Sequence, residues 1–154
     1  MRKRPYGPVV ALLVASVATF ALVGFAVADG EGSHPVPPPN SSEREELRAA
    51  ALAFAASNGD ANPSEALLVG ASRKSVVAAT MGGAEVDTDQ DVYAVRLRGR
   101  FVAYGVSVPR GMPLPRGQFL LLVYDAATTE LTDWNLSSQP QNVSQFGQPE
   151  PLAP

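Results

Sequence analysis

Three arginines at alternate positions are the residues of this sequence best suited to binding a ligand. Arg96, Arg98 and Arg100 occur in the run DVYAVRLRGR, and alternate residues of a β-strand project from the same face of a sheet. A row of guanidinium groups can bind lipid phosphate, an anionic cell-wall component or an acidic envelope protein. A solvated strand face paired with local carboxylates is the alternative. Four further basic residues could extend such a surface: Arg73, Lys74, Arg110 and Arg116.

Acidic residues also alternate just before this strand. Asp87, Asp89 and Asp91 match the start of a calcium-binding loop, in which carboxylate oxygens surround the ion. The rest of the loop fails to match, because Val92 stands where it needs glycine and Arg98 where it needs a bidentate glutamate. We therefore interpret the segment as a solvated acidic turn, and we predict no metal site and no cofactor.

Groups that could carry out catalysis are scarce. The sequence has no cysteine and one histidine, His34, which lies in a proline-rich stretch. It contains no nucleophile motif, phosphate loop, dinucleotide fingerprint or zinc spacing. Asp125 and Asp133 could in principle act as an acid and a base, although an aspartate at the end of a strand usually caps backbone groups. We predict that the protein is not an enzyme and has no nucleic-acid partner, with a small hydrolase using these two carboxylates as a less favoured alternative.

The elements that position these residues begin with a helix. Ser42 and Glu45 form a capping box, and the apolar residues that follow recur at helical spacing until Asn58. Because most of those residues are alanine, the helix buries little area and depends on packing against something larger.

Residues 64–71 are ambiguous. They fit either a short buried strand near 66–71 or part of one continuous helix, and we favour the strand. A second helix is then expected over 73–81, with Ser72 as its cap and the glycines at 82–83 as its end.

The periodicity then changes from helix to strand. In the run 91–98, Tyr93, Val95 and Leu97 alternate with the arginine row, which predicts a half-exposed strand. Gly99 marks a bulge or a tight turn. Residues 118–125 are the most apolar and are expected to be central in the sheet. The remaining strands are predicted at 101–108 and 130–136, with a loop at 109–117.

The N-terminal region contains a hydrophobic run long enough to cross a membrane. Residues 9–28 include no charge and no proline, and twenty helical residues are about 30 Å long, the thickness of the hydrocarbon core. The basic segment 1–8 is expected to stay in the cytoplasm, which places the rest outside as a single-pass protein of the cell membrane. A cleaved signal peptide is the alternative, since Ala28 ends a small-x-small site and cleavage there would give a secreted protein.

Composition divides the rest of the chain into three parts. A Pro/Gly/Ser linker at 29–42 precedes an extracytoplasmic domain at 43–137, and a Pro/Gln-rich tail at 138–154 is expected to be mostly disordered, although Val143 and Phe146 could pin part of it. The domain is predicted to be α+β in two layers, with one or two helices on a small antiparallel sheet of three to five strands. Without disulfides, its core alone must stabilise it.

The runs VYAVRLRGRF and QFLLLVYDAATTELTDWNL resemble a group of short exported or membrane-anchored actinobacterial proteins. The second run also resembles the end of PepSY-like domains, in which a helix packs on a small antiparallel sheet. This sequence departs from the pattern at Thr129, where glycine is usual in the turn, and threonine tolerates positive φ poorly. The resemblance implies a non-enzymatic role outside the cytoplasm, such as binding or restraining a peptidase.

Taken together, these observations predict a single-pass envelope protein whose outer domain binds a protein or an anionic cell-wall component. Arg96, Arg98 and Arg100 are the candidate binding residues. A PepSY-like modulator of an extracytoplasmic peptidase is the alternative. Residues 29–154, which are expected to lie outside the cytoplasm, include nine basic and fifteen acidic residues, a net charge of −6. This charge argues against general binding of anions.

Overall fold

A computed structural model describes residues 35–152, which fold into helices on both sides of one antiparallel sheet. The elements in chain order are α1 (Ser41–Ser57), β1 (Glu65–Ser72), α2 (Arg73–Thr80), β2 (Asp91–Val102), β3 (Arg116–Asp125), β4 (Leu131–Ser137), a 3₁₀ turn (Val143–Gln145) and β5 (Glu150–Pro151). The strand order is β4-β3-β2-β1-β5. The predicted α+β class, with helices on a small antiparallel sheet, is therefore confirmed, and the apolar β3 is an interior strand next to the middle strand, β2.

The N-terminus of α1 lies slightly earlier than predicted. Asn40 is the cap, and its side-chain oxygen accepts hydrogen bonds from Ser42 N at 2.9 Å and Glu43 N at 3.0 Å. The Glu43 carboxylate accepts one from Asn40 N at 2.9 Å, which completes the capping box. The predicted box of Ser42 and Glu45 was thus wrong by two residues, because Asn40 and Glu43 have the same spacing and asparagine is at least as good a cap as serine.

The ambiguous segment is a strand. β1 pairs with β2 along its whole length, from Glu65 opposite Arg98 to Ser72 opposite Asp91. Ser72 then caps α2, and its hydroxyl accepts a hydrogen bond from Ser75 N at 3.3 Å. Both the strand and the Ser72 cap are confirmed, and the continuous helix is excluded because the backbone of β1 is paired with a neighbouring strand.

Both faces of the sheet are buried, so the domain has three layers rather than the two that we predicted. Leu47, Ala51 and Ala55 of α1 pack on one face. On the opposite face, the core combines residues of α2, the sheet and the tail: Val69, Ala71, Val76, Val92, Ala94, Leu121, Val123 and Val143. The prediction of a half-exposed strand at 91–98 was wrong for the same reason, since α2 folds back over the side of β2 that we expected to face solvent.

A bulge interrupts β2 at Gly99, as predicted. The register with β3 shifts between Arg98 and Phe101, and the Asp60 carboxylate accepts a hydrogen bond from Arg100 N at 2.8 Å. A side chain at Gly99 would collide with that carboxylate. β2 then ends at Val102, so the strand expected over 101–108 was wrong, because the chain turns away from β3 soon after the bulge.

The C-terminal tail is part of the folded domain as far as residue 152. β5 pairs with β1, placing Glu150 opposite Leu68, and the Arg44 guanidinium contacts the Glu150 carboxylate at 2.9 Å. Val143 and Leu152 are buried. The prediction of a mostly disordered tail was therefore wrong, although the expectation that Val143 holds part of it in place is confirmed. A composition rich in proline and glutamine gave no sign that these few apolar residues complete the core.

The proline-rich stretch before α1 also contacts the domain. Val36 packs over Gly70 so closely that a side chain on Gly70 would collide with it. The Tyr93 hydroxyl donates a hydrogen bond to Pro37 O at 3.1 Å. Residues 35–39 are therefore docked on the face of the sheet that α1 covers, at the end where β2 starts.

The predicted basic segment, hydrophobic span and first part of the linker lie outside the described residues. Within residues 35–152, no helix is long and apolar enough to cross a membrane. The membrane span at 9–28, the alternative cleavage after Ala28 and the cellular location that follows from them stay predictions.

We predict that Leu152→Ala lowers the free energy of unfolding by about 2–4 kcal/mol, because it removes a buried side chain that joins the tail to the core. Urea denaturation followed by the fluorescence of Trp134, the single tryptophan, measures this loss. Leu131→Ala is the matched control, since Leu131 is 37% exposed and its loss should cost less than about 1 kcal/mol. Equal effects of the two substitutions would show that the tail is not packed as described.

Candidate functional site

The structure separates the three arginines of the predicted row. Arg96 is largely buried, with 15% of its side chain exposed, whereas Arg98 and Arg100 are exposed. The bulge at Gly99 breaks the alternation after Arg98, so Arg100 does not continue the regular row. The prediction of one uniform basic row was therefore wrong, and only its last two members are available to a ligand.

Arg96 connects the sheet with the tail. Its guanidinium contacts the Glu65 carboxylate at 2.7 Å and donates a hydrogen bond to Gln141 O at 2.8 Å. The same group lies 5.9 Å from the centre of the Phe119 ring, a cation–π distance. Its Nε is buried and has no hydrogen-bond partner among the described residues. These contacts assign Arg96 to the fold rather than to a binding surface.

Four arginines collect at one end of the domain. Arg98 and Arg100 lie near the end of β2, Arg116 begins β3 opposite Val102, and Arg110 lies in the loop between these strands. We call this group the arginine end. Within residues 35–152, none of these four guanidinium groups takes part in an ion pair or hydrogen bond.

The carboxylates nearest to the arginine end are already engaged. Asp60 accepts the backbone N–H groups of Arg100 at 2.8 Å and Asn62 at 3.0 Å, and Glu65 accepts the guanidinium of Arg96. Asp60 therefore shapes the bulge that carries Arg100, while the charge of the Arg100 side chain is left free.

A cleft of about 330 Å³ lies between two of these arginines. Its lining combines charged, polar and apolar groups: Arg100, Phe101, Val102, Arg116, Gly117, Gln118 and Ser138. Two guanidinium groups beside such a cleft can bind a carboxylate or a phosphate through paired hydrogen bonds. The cleft is open to solvent and is formed by the end of β2 after the bulge, by the start of β3 and by Ser138.

The two carboxylates considered for catalysis have structural partners. Both oxygens of Asp133 contact Arg73, at 2.7 Å from Nε and 3.1 Å from Nη2, and this pairing lowers the pKa of Asp133 although burial opposes the shift. An aspartate held ionised in this way cannot serve as a general acid near neutral pH. Arg73 therefore belongs to the contact between α2 and β4, and its predicted contribution to the basic surface was wrong.

Asp125 organises the turn between β3 and β4. Its Oδ1 accepts the N–H groups of Ala127 at 2.8 Å and Thr128 at 2.9 Å, and its Oδ2 accepts the Gln90 amide at 2.8 Å. Thr129 closes this turn with a φ of 56°. The backbone thus keeps the positive φ that the missing glycine would have supplied, and the Asp125 contacts hold the threonine in that conformation.

The acidic turn lies at the opposite end of the sheet from the arginines. Asp89 accepts a hydrogen bond from Lys74 N at 3.2 Å, and Asp91 is the first residue of β2. The Tyr93 hydroxyl has a raised pKa here because of burial and the charges of Glu43 and Asp91. In the described part of the chain, no three carboxylate or histidine side chains converge as a metal site requires.

Two exposed apolar side chains at the arginine end escaped the sequence analysis. Tyr104 is 59% and Met112 is 61% exposed, and both lie in the loop between β2 and β3. Their sequence context, a run interrupted by proline and glycine, indicated a loop but did not show that it lies beside the arginines. The cluster of glycine and proline residues was the only feature of the sequence that indicated this loop.

No known protein family, curated protein or solved structure matches this chain. The resemblance to PepSY-like domains therefore stays a prediction, and so does the peptidase-related role that it implies.

We predict that Arg96→Met lowers the free energy of unfolding by about 1–2 kcal/mol, because the Glu65 carboxylate and the Gln141 carbonyl lose their shared donor. Arg98→Met removes the same charge from an exposed position two residues away and should change stability by less than about 0.5 kcal/mol. Denaturation of both variants in urea measures the difference. A loss for Arg98→Met as large as that for Arg96→Met would contradict these assignments.

Proposed function

We propose that this protein is a non-enzymatic envelope protein, anchored by residues 9–28, whose outer domain binds an anionic partner at the arginine end. Supporting this proposal is one observation above all: Arg98, Arg100, Arg110 and Arg116 are collected at one end, and none of them has an ionic partner among residues 35–152. Like charges held together repel one another, so such an arrangement disfavours the free domain and is relieved when an anion binds.

The acidic overall charge strengthens the case for a binding role at the arginine end. In residues 29–154, acidic residues outnumber basic ones by six, and carboxylates are therefore plentiful. Arg44, Arg73 and Arg96 each pair with one of them. In the part of the chain that the structure describes, the arginine end has no such pair although carboxylates are available, which favours a binding role there over a generally basic surface.

The docked proline-rich segment before α1 lies far from the arginine end. Pro37 contacts Tyr93 near the start of β2, whereas Arg100 lies near its end. Arg100 lies seven positions after Tyr93 along β2, a distance of roughly 20–25 Å at the usual rise. Residues 35–39 and the arginine end thus lie at opposite ends of the sheet, and this segment does not cover the arginines.

Binding rather than hydrolysis is also favoured by the two candidate carboxylates. Asp133 is ionised and paired with Arg73, and Asp125 is occupied by the turn that follows it. No specific observation favours the hydrolase or the peptidase modulator as a second candidate.

The test is binding of labelled polyglutamate and polyphosphate to the full-length protein in mild detergent, measured by fluorescence anisotropy. We expect at least one probe to bind, with an affinity that falls as salt is added. The double variant Arg100→Gln/Arg116→Gln should lower that affinity about tenfold, because two exposed ionic contacts are lost.

Arg48→Gln/Lys74→Gln is the matched control, because it removes the same charge from α1 and α2, away from the arginine end. This control should retain most of the affinity. Equal losses in the two double variants, or no binding of either probe at low salt, would contradict the proposal.

A further inference from the structure

The arginine end carries apolar groups as well as charge. Three large hydrophobic side chains are exposed among residues 35–152, and two of them, Tyr104 and Met112, lie in the loop beside the arginines. An anionic polymer such as a chain of phosphodiesters would gain nothing from such side chains. Arginine, tyrosine and methionine together are instead the residues that protein–protein interfaces favour, whereas lysine is depleted there; residues 98–117 contain no lysine.

The loop that carries these side chains is held in place before any partner binds. Ala103 N donates a hydrogen bond to Pro115 O at 2.9 Å, and Met112 N donates one to Pro109 O at 3.0 Å. Proline restricts the backbone further. The Tyr104 ring lies against Gly59 after α1, 3.6 Å from the position that a side-chain carbon would take there. An ordered loop loses little conformational entropy on binding, which favours specific recognition.

The cleft beside the loop has the same mixed character. Arg100 and Arg116 flank it, while the half-buried Val102 contributes apolar surface and the buried Phe101 lies beneath. A side chain that enters this cleft can therefore be apolar while carboxylates on either side of it reach the guanidinium groups. This arrangement matches a polypeptide in which acidic residues flank an apolar one.

We propose that the partner of the arginine end is a protein, bound through a segment in which Asp or Glu side chains flank an aromatic or aliphatic residue. This inference rests on the proposed function, because it names the class of anionic partner that the same surface takes. The carboxylates pair with Arg98, Arg100, Arg110 and Arg116, and the apolar residue contacts Tyr104, Met112 and the cleft.

The experiment selects peptides from a random 12-residue phage library on the full-length protein in detergent, with counter-selection on Arg100→Gln/Arg116→Gln. We expect the selected peptides to combine acidic with aromatic or aliphatic residues. Their affinity should fall at least about fivefold with Tyr104→Ser/Met112→Ser, the loss expected from about 1 kcal/mol of apolar contact. Leu131→Ser, at the other exposed apolar position, should leave the affinity unchanged.

Binding of polyphosphate distinguishes a failure of this inference from a failure of the proposed function. If it binds as tightly as the best peptides and Tyr104→Ser/Met112→Ser has no effect on either, this inference is overturned while anion binding at the arginine end stands. If neither polyphosphate nor any acidic peptide binds, the proposed function itself fails. Circular dichroism and thermal unfolding of each variant show whether it is folded, and folding should be retained because the substituted side chains are exposed.

Discussion

Strands β2 and β3 are apolar on both sides, so each face of the sheet needs a cover, and the chain must supply both without a disulfide. The alanine-rich helix α1 covers one face. The other face is too wide for the eight residues of α2 alone, and the tail completes it with Val143. Most of the remaining features, including the docked proline-rich segment and the short strand β5, follow from this requirement.

Covering both faces of the sheet also buries Arg96, and this burial has the greatest bearing on function. A buried cation needs a counter-charge and hydrogen-bond acceptors. The Glu65 carboxylate from β1 neutralises the Arg96 guanidinium, and a backbone carbonyl of the tail accepts a hydrogen bond from it. The next arginine along the strand, Arg98, is exposed, and Arg100 follows the bulge. One stretch of sequence thus serves two purposes, in which its first arginine stabilises the fold and its later ones remain free.

Local patterns in the sequence were enough to predict much of the fold. The change of periodicity after residue 90, the Ser72 cap and the bulge at Gly99 depend on neighbouring residues, and each was found where expected. The contribution of the tail to the core was not predicted, because Val143 on the α2 face and Leu152 on the α1 face are single apolar residues in a polar tail, and their burial depends on distant strands. The candidate site was only partly predicted for the same reason. The spacing grouped Arg96 with Arg98, but only the tertiary contacts show that Arg96 is buried and Arg98 is exposed.

The central claim is this division of the arginines between the fold and the binding surface, and side-chain hydrogen exchange tests it most directly. Exchange at each arginine Nε–H can be followed by NMR on the ¹⁵N-labelled full-length protein in detergent. We predict that the buried Arg96 is protected, while Arg98, Arg100 and Arg116 exchange as fast as free arginine. Exchange of Arg96 as fast as that of Arg98, or protection of Arg100 and Arg116 without a partner, would contradict the account.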